Sequence, residues 1–271
     1  MNKLLQRVVT AVVLLPILLI VFFRLPLSAA IGVLGAFIAI GAWEWSAFLP
    51  LERFVARAAY TGLLLVLMVA SLWLFSDQAS LQPLLWLSLL WWVVAFIRLL
   101  RFPTKIGPVN GAISGMLVII PAWVALVALL SVPERGPEYV WFLLMIVWAA
   151  DIGAYFVGRR LGRTKLAPRV SPGKTWEGFA GGIIGAIGIA WCGSWWFDWS
   201  LWFLFPLAVS VTVISVVGDL TISMFKRNVG LKDSGNLFPG HGGVLDRVDS
   251  VTAAVPLFVL EVMWIGLLAN D

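Results

Sequence analysis

The 271-residue chain is 61% hydrophobic and only 12% charged, with 16 tryptophans and a mean hydropathy of +0.99. A soluble domain carries roughly a quarter charged residues, so this composition excludes one and indicates a chain whose main solvent is lipid. The excess of 19 Lys and Arg over 14 Asp and Glu would suit a nucleic-acid partner, but its placement along the chain makes it a topology signal instead, and no nucleic acid is expected.

One cysteine, Cys192, excludes a disulfide within the chain and a cysteine metal site, and its apolar surroundings predict packing inside a helix. A membrane-crossing helix needs about 20 mainly apolar residues. Stretches of that kind run over 8–23, 27–49, 57–75, 83–100, 109–131, 139–158, 178–197, 200–222 and 250–269. They predict an all-α polytopic membrane protein with nine spans in a single transmembrane domain. The first stretch, behind Lys3 and Arg7, has the charge pattern of a signal peptide. Its apolar run is long for one and no clean cleavage box follows, so a retained helix is expected.

With nine spans and the N-terminus on the cytoplasmic side, 17 of the 19 Lys and Arg residues fall on that side. Only Arg24 and Arg135 fall on the other, where the C-terminus is expected. Removing or adding one early helix would scramble this alternation, so the positive-inside rule supports the count.

Two loops on the cation-rich side concentrate polar chemistry: 159–177, and Ser223–Asp249 between the last two spans. The second holds Lys226, Arg227, Lys232, Asp233, the sole histidine His241, Asp246, Arg247 and Asp249 around the run Gly240-His241-Gly242-Gly243. Asp219 precedes it near the end of the eighth span, with Ser223 one turn later on the same face. A carboxylate there is either a surface acid at a ragged helix end or a group with a partner, a metal or a wet cavity. Asp246 and Asp249 are three residues apart and share a helix face. The helix macrodipole accounts for one acid at an N-terminus. Two of them facing Asp219 across the loop suggest Mg²⁺, which takes one or two carboxylates and bridges phosphates. Lys226, Arg227 and Lys232 read either as topology anchors or as phosphate ligands beside a backbone nest made by Gly240, Gly242 and Gly243. His241 reads either as a hydrogen-bonded loop residue or as a phosphate or proton partner.

In the other loop, Thr175 and Glu177 precede an apolar run and read as a helix cap, whereas Ser171 and Lys174 lie outside that explanation. Asp151, two turns inside the sixth span with Tyr155 one turn on, is a functional candidate as an intramembrane acid. Glu44, between Trp43 and Trp45, and Glu261 have no readable partner and are assigned to structure.

Taken together, Ser223-Met-Phe-Lys226-Arg227, Lys232-Asp233 and Pro239-Gly-His241-Gly242-Gly243-Val-Leu-Asp246-Arg247-Val-Asp249 resemble the signature of the phosphatidate cytidylyltransferase (CDP-diacylglycerol synthase) family. Asp151-Ile-Gly-Ala-Tyr155 and Ser171-Pro-Gly-Lys174-Thr175-Trp-Glu177 resemble it too. The resemblance spans at least the C-terminal half, 139–271, which would be catalytic; 1–138 matches in hydropathy alone and would be scaffold. It implies transfer of CMP from CTP to phosphatidic acid at the cytoplasmic face of a bacterial-type inner membrane, giving CDP-diacylglycerol and pyrophosphate for phospholipid synthesis. It further implies that Asp219 and Asp246, supported by Asp249, hold Mg²⁺, with or without a second, monovalent cation. Lys226, Arg227, Lys232 and Arg247 would clamp phosphates, and Ser171, Lys174 and Thr175 would close on the nucleotide. Membrane lipids are the surroundings, and a homodimer is compatible with this reading. Two other readings stay open: a CTP-dependent polyprenol or lipid-alcohol kinase, and an ion-coupled transporter using Asp151, Asp219 and Glu261, although transporter acids belong at the bilayer midplane.

Overall fold

The computed structural model describes residues 3–51, 53–237 and 242–265, with side chains from residue 12 onward except at position 78. Among these residues the chain forms nine α-helices: α1 (Lys3–Phe23), α2 (Leu27–Trp45), α3 (Phe54–Leu74), α4 (Gln78–Leu100), α5 (Pro108–Leu130), α6 (Gly136–Leu161), α7 (Trp176–Phe197), α8 (Leu201–Asn228) and α9 (Leu245–Trp264). Each coincides with one expected apolar stretch. Seven of them, α2 to α8, are long and apolar enough to cross a membrane. In α1 the residues whose side chains are described, Val12–Phe23, are apolar, and α9 carries Asp246, Arg247, Asp249 and Glu261 among its 20 residues. The protein is thus an integral membrane protein built on at least these seven helices.

The all-α expectation needs one correction. Residues 165–175 form an antiparallel hairpin, β1 (Lys165–Ala167) and β2 (Ser171–Thr175), with Lys165 opposite Thr175 and Ala167 opposite Ser171. Pro168, Pro172 and Gly173 disfavour helix here, and strand pairing satisfies part of the backbone that would otherwise face a crowded membrane surface. Thr175 then caps α7, its hydroxyl accepting Gly178 N at 3.1 Å. Glu177 does not reach back to the cap. Its carboxylate accepts Arg163 N and Thr164 N at 3.1 Å, tying the start of α7 to the chain leaving α6.

Backbone approach between α6 and α7 is very close because small residues recur along both helices. A Cβ added at Gly182 would lie 2.8 Å from Ala150 O. Gly182→Val should therefore push the two helices apart and destabilise by roughly 1–3 kcal/mol through overpacking, read as a lowered thermal transition of the detergent-purified protein. An unchanged transition would mean that the seam yields freely. Cys192 on α7 is exposed rather than packed inside, since the buried face of that helix is taken by Gly178, Gly182, Ala186, Ala190 and Gly193.

The two ends of the helix array differ in what they gather. At one end Arg169 Nη1 donates to Phe102 O at 3.1 Å, and Asn228 brackets Ile106, accepting its N–H at 3.1 Å. The α4–α5 loop, the hairpin and the end of α8 thereby share one surface. At the other end Tyr139, Phe197 and Trp199 stack with ring centroids 4.9–5.4 Å apart. Such aromatic clusters favour a membrane–water interface.

Candidate active site

On α8, Asp219, Ser223 and Lys226 recur at spacings of four and three and share a face. Ser223 Oγ donates to Asp219 Oδ1 at 3.3 Å. The hairpin brings Lys174 over the same face, its Nζ 2.6 Å from Asp219 Oδ2, with both side chains about a quarter exposed at 25% and 26%. Two helical turns after Asp219, near the end of α8, Lys226 Nζ lies 2.6 Å from Asp246 Oδ1. That pair is nearly sealed, with side chains 9% and 6% exposed. Asp246 Oδ2 in addition accepts Ser234 N at 2.8 Å, Ser234 Oγ at 3.0 Å and Gly243 N at 3.0 Å.

Asp249 joins the cluster through a helix contact. A Cβ on Gly218 would lie 2.6 Å from Asp249 O, so only glycine lets α8 and α9 meet there. Asp249 Oδ1 accepts Ser250 N at 2.8 Å, and among the described residues no Lys or Arg is ion-paired with it. Asp219 and Asp249 repel one another across the contact, while Lys174 and Lys226 attract both. Asp151 on α6 feels the same group of charges: Lys174 and Arg247 attract it and Asp219 repels it.

Two cavities meet at this cluster. The first, of about 510 Å³, lies among α1, α2, α5, α6 and α9 and is largely apolar, with Phe37, Leu126, Trp148 and Val255 in its wall. Asp151, Asp246, Arg247 and Asp249 line the same cavity. The second, of about 440 Å³, lies among α6, α7, α8 and the hairpin, lined by Tyr155, Arg159, Ser171, Lys174 and Thr175. Asp151 lines both.

The structure therefore gathers Asp151, Ser171, Lys174, Thr175, Asp219, Ser223, Lys226, Asp246, Arg247 and Asp249 around one polar centre. Arg227 is exposed and turned elsewhere, its Nη1 donating to Leu231 O at 3.2 Å beyond the end of α8. Lys232 and Asp233 are exposed on the following loop. Gly243 N–H is taken by Asp246, and Gly242 has φ +80°, a left-handed conformation that favours glycine. His241 lies outside the described residues. Tyr155 and Arg159, whose Nη1 donates to the Tyr155 hydroxyl at 2.9 Å, belong to the second cavity, although only their spacing of one and two turns from Asp151 on α6 signals this in the sequence.

Among the described residues no three acidic, histidine or cysteine side chains converge into a ready-made metal cage. The donor set nevertheless fits Mg²⁺, which binds one or two carboxylates and leaves its other positions to water and phosphate oxygens. Asp219 and Asp249 offer hard oxygen donors on touching helices, and their mutual repulsion is the kind of strain that a divalent cation relieves.

The cytidylyltransferase family model matches residues 5–264. A phosphatidate cytidylyltransferase of Pseudomonas aeruginosa is 44% identical over 266 residues, covering 96% of each chain. The chain belongs to the cytidylyltransferase family. The phosphatidate cytidylyltransferase of Haemophilus influenzae is 39% identical across 93% of this chain and 96% of its own. One from Synechocystis is 45% identical across 46% of this chain. For a cytidylyltransferase, an apolar cavity and a second one lined in part by hydroxyls and cations, sharing Asp151 beside a cluster of carboxylates and cations, is a chemically apt arrangement.

Proposed function

We propose that the protein transfers CMP from CTP to phosphatidic acid, yielding CDP-diacylglycerol and pyrophosphate for phospholipid synthesis. The observation that carries this reading is the pair of cavities meeting at Asp151, one apolar and one lined by hydroxyls, an aromatic ring and cations. The apolar cavity suits acyl chains, with Arg247 at its polar end for the lipid phosphate. The second cavity suits the nucleotide, with Lys174 and Arg159 for its phosphates and Ser171 and Thr175 for hydroxyl contacts.

In the reaction a phosphatidate oxygen attacks the α-phosphorus of CTP. A new P–O–P linkage forms, the α–β linkage breaks, and pyrophosphate leaves with the electron pair. The phosphate monoester is already anionic at neutral pH, so no general base is required, and catalysis rests on positioning and charge stabilisation. Asp219, Asp246 and Asp249 are the residues that would hold Mg²⁺, which when bound neutralises phosphate-oxygen charge. Lys174 is held at Asp219 by a partly exposed ion pair that a phosphate oxygen can replace, so it can pass from protein to substrate with little movement, while Lys226 stays paired with Asp246 beneath it. Excluding water from a site whose lysine–aspartate pair is nearly sealed strengthens each of these charges.

Placement of 17 of the 19 cations on the face that carries the hairpin and the Ser223–Asp249 stretch supports nine spans with the site on the cytoplasmic side of a bacterial inner membrane. The test is direct. Purified protein is incubated with phosphatidate, Mg²⁺ and CTP labelled at either the α- or the γ-phosphate, and lipids are extracted. Label from the α position alone should enter lipid, with one pyrophosphate released per lipid labelled. Entry of the γ label instead would mean a lipid kinase and overturn the proposal.

Lys174→Ala should chiefly weaken nucleotide binding. Loss of one charge-assisted contact corresponds to a rise of roughly tenfold in the KM for CTP, with a smaller change in kcat. An unchanged KM would remove the hairpin from the nucleotide site.

A further inference from the structure

Glu44 belongs to none of the motifs above. It sits on α2, 5% exposed, and among the described residues no Lys, Arg or His is ion-paired with it. Its carboxylate instead accepts Leu245 N at 2.8 Å, Val244 N at 2.9 Å and Ser234 Oγ at 2.8 Å. The two amides open α9, whose N-terminal dipole favours an anion there. The loop closes round this carboxylate: a Cβ added at Gly235 or Gly243 would run into it. Neighbouring Trp45 secures the same corner, donating to Gly111 O at 3.1 Å and meeting the Phe225 ring at 5.0 Å, one residue before Lys226.

Ser234 links this corner to the site. Its hydroxyl has one hydrogen to donate and two carboxylate oxygens within reach, Glu44 Oε2 at 2.8 Å and Asp246 Oδ2 at 3.0 Å. Asp246 Oδ2 already takes two backbone N–H groups. We propose that Glu44 is a positioning residue for the cytidylyl-transfer site. It pins the loop and the first turn of α9 to α2, and it draws the Ser234 hydrogen away from Asp246, so that a cation competes there only with Lys226 and two backbone N–H groups. The proposal rests on the reading that Asp246 works at the metal and phosphate centre. Replacing Glu44 with Gln leaves Asp246 as the one charged acceptor for that hydrogen and puts an amide donor against a helix N-terminus.

The test compares Glu44→Gln, Ser234→Ala and the double variant in the full-length protein, titrating Mg²⁺ at saturating CTP and following amide hydrogen exchange. Glu44→Gln should raise the half-saturating Mg²⁺ concentration at least about fivefold, as expected for redirecting one hydrogen bond to a charged group. It should also accelerate exchange at Val244 and Leu245. Adding Ser234→Ala to Glu44→Gln should bring the half-saturating Mg²⁺ back towards wild type, because the competing hydroxyl is gone. A lower maximal rate with unchanged half-saturation would reflect only a smaller folded fraction and would overturn the proposal, as would effects of the two substitutions that merely multiply. If Glu44→Gln does not accumulate in the membrane, Gly243→Ala serves instead, since its Cβ displaces the same carboxylate; an unchanged Mg²⁺ requirement there is equally fatal. Asp246→Asn runs alongside as a control on the underlying reading. Normal turnover in Asp246→Asn would sink that reading, while amide exchange in Glu44→Gln would still report on Glu44 alone.

Discussion

Asp219→Asn is expected to abolish CTP-dependent labelling of lipid while the protein still accumulates in the membrane. Asp219 is where three of the site's elements converge. Lys174 from the hairpin reaches it at 2.6 Å, Ser223 donates to it from its own helix, and Asp249 faces it across the Gly218 contact. Asparagine keeps the size of the side chain but removes the charge that balances Lys174 and that a divalent cation requires. Removing one preorganised charge-stabilising group lowers kcat on the order of 10²–10³-fold, and loss of a metal ligand falls at or beyond the upper end of that range. Stability should change little by comparison, because the Lys174–Asp219 pair is a quarter exposed and pairs that solvent reaches contribute roughly 0–1 kcal/mol. The measurement is turnover per folded protein, with folding followed by size-exclusion behaviour in detergent. Near-normal turnover in Asp219→Asn would take Asp219 out of the catalytic centre.

Lys226→Met should act in the opposite proportion, with a large loss of stability as well as activity. Its ammonium group and Asp246 are almost completely enclosed, so removing the lysine leaves a carboxylate without its counter-ion in a poorly solvated place. Breaking a buried pair from one side costs about 3–5 kcal/mol. The two backbone N–H donors on Asp246 Oδ2 offset part of that. The thermal transition of Lys226→Met should accordingly fall well below that of Lys174→Met, although both replacements delete one lysine from one 2.6 Å ion pair. Equal transitions for the two variants would mean that burial does not distinguish the pairs. The double replacement Lys226→Met with Asp246→Asn should recover stability relative to Lys226→Met alone, yet no turnover, since both charged groups are then missing.

The sequence reached the helices and the candidate site residues unevenly. Apolar length alone located all nine helices within a few residues, and the fall of Arg159, Arg160 and Arg163 after α6 and of Lys226 and Arg227 after α8 marked the face that gathers the loops. The hairpin was hidden because proline, glycine and hydroxyl residues at 168–175 specify turns and caps equally well, and strand pairing there is decided by what the neighbouring helices leave room for. Arg227 looked equivalent to Lys226 by composition. One residue along a helix is a rotation of about 100°, and that rotation turns Lys226 inward to Asp246 and Arg227 outward to Leu231.

Local order along the chain therefore determined which residues are apolar, which are helical and which signature they spell, because hydropathy and helix periodicity act over a few residues at a time. The meeting of Lys174 with Asp219, the sharing of Asp151 by two cavities, and the capture of the α9 N-terminus by Glu44 from some 200 positions away were decided only in the folded molecule. A buried charge must find its partner wherever packing delivers one, and nothing in the spacing of Glu44 between two tryptophans records that the partner is Ser234.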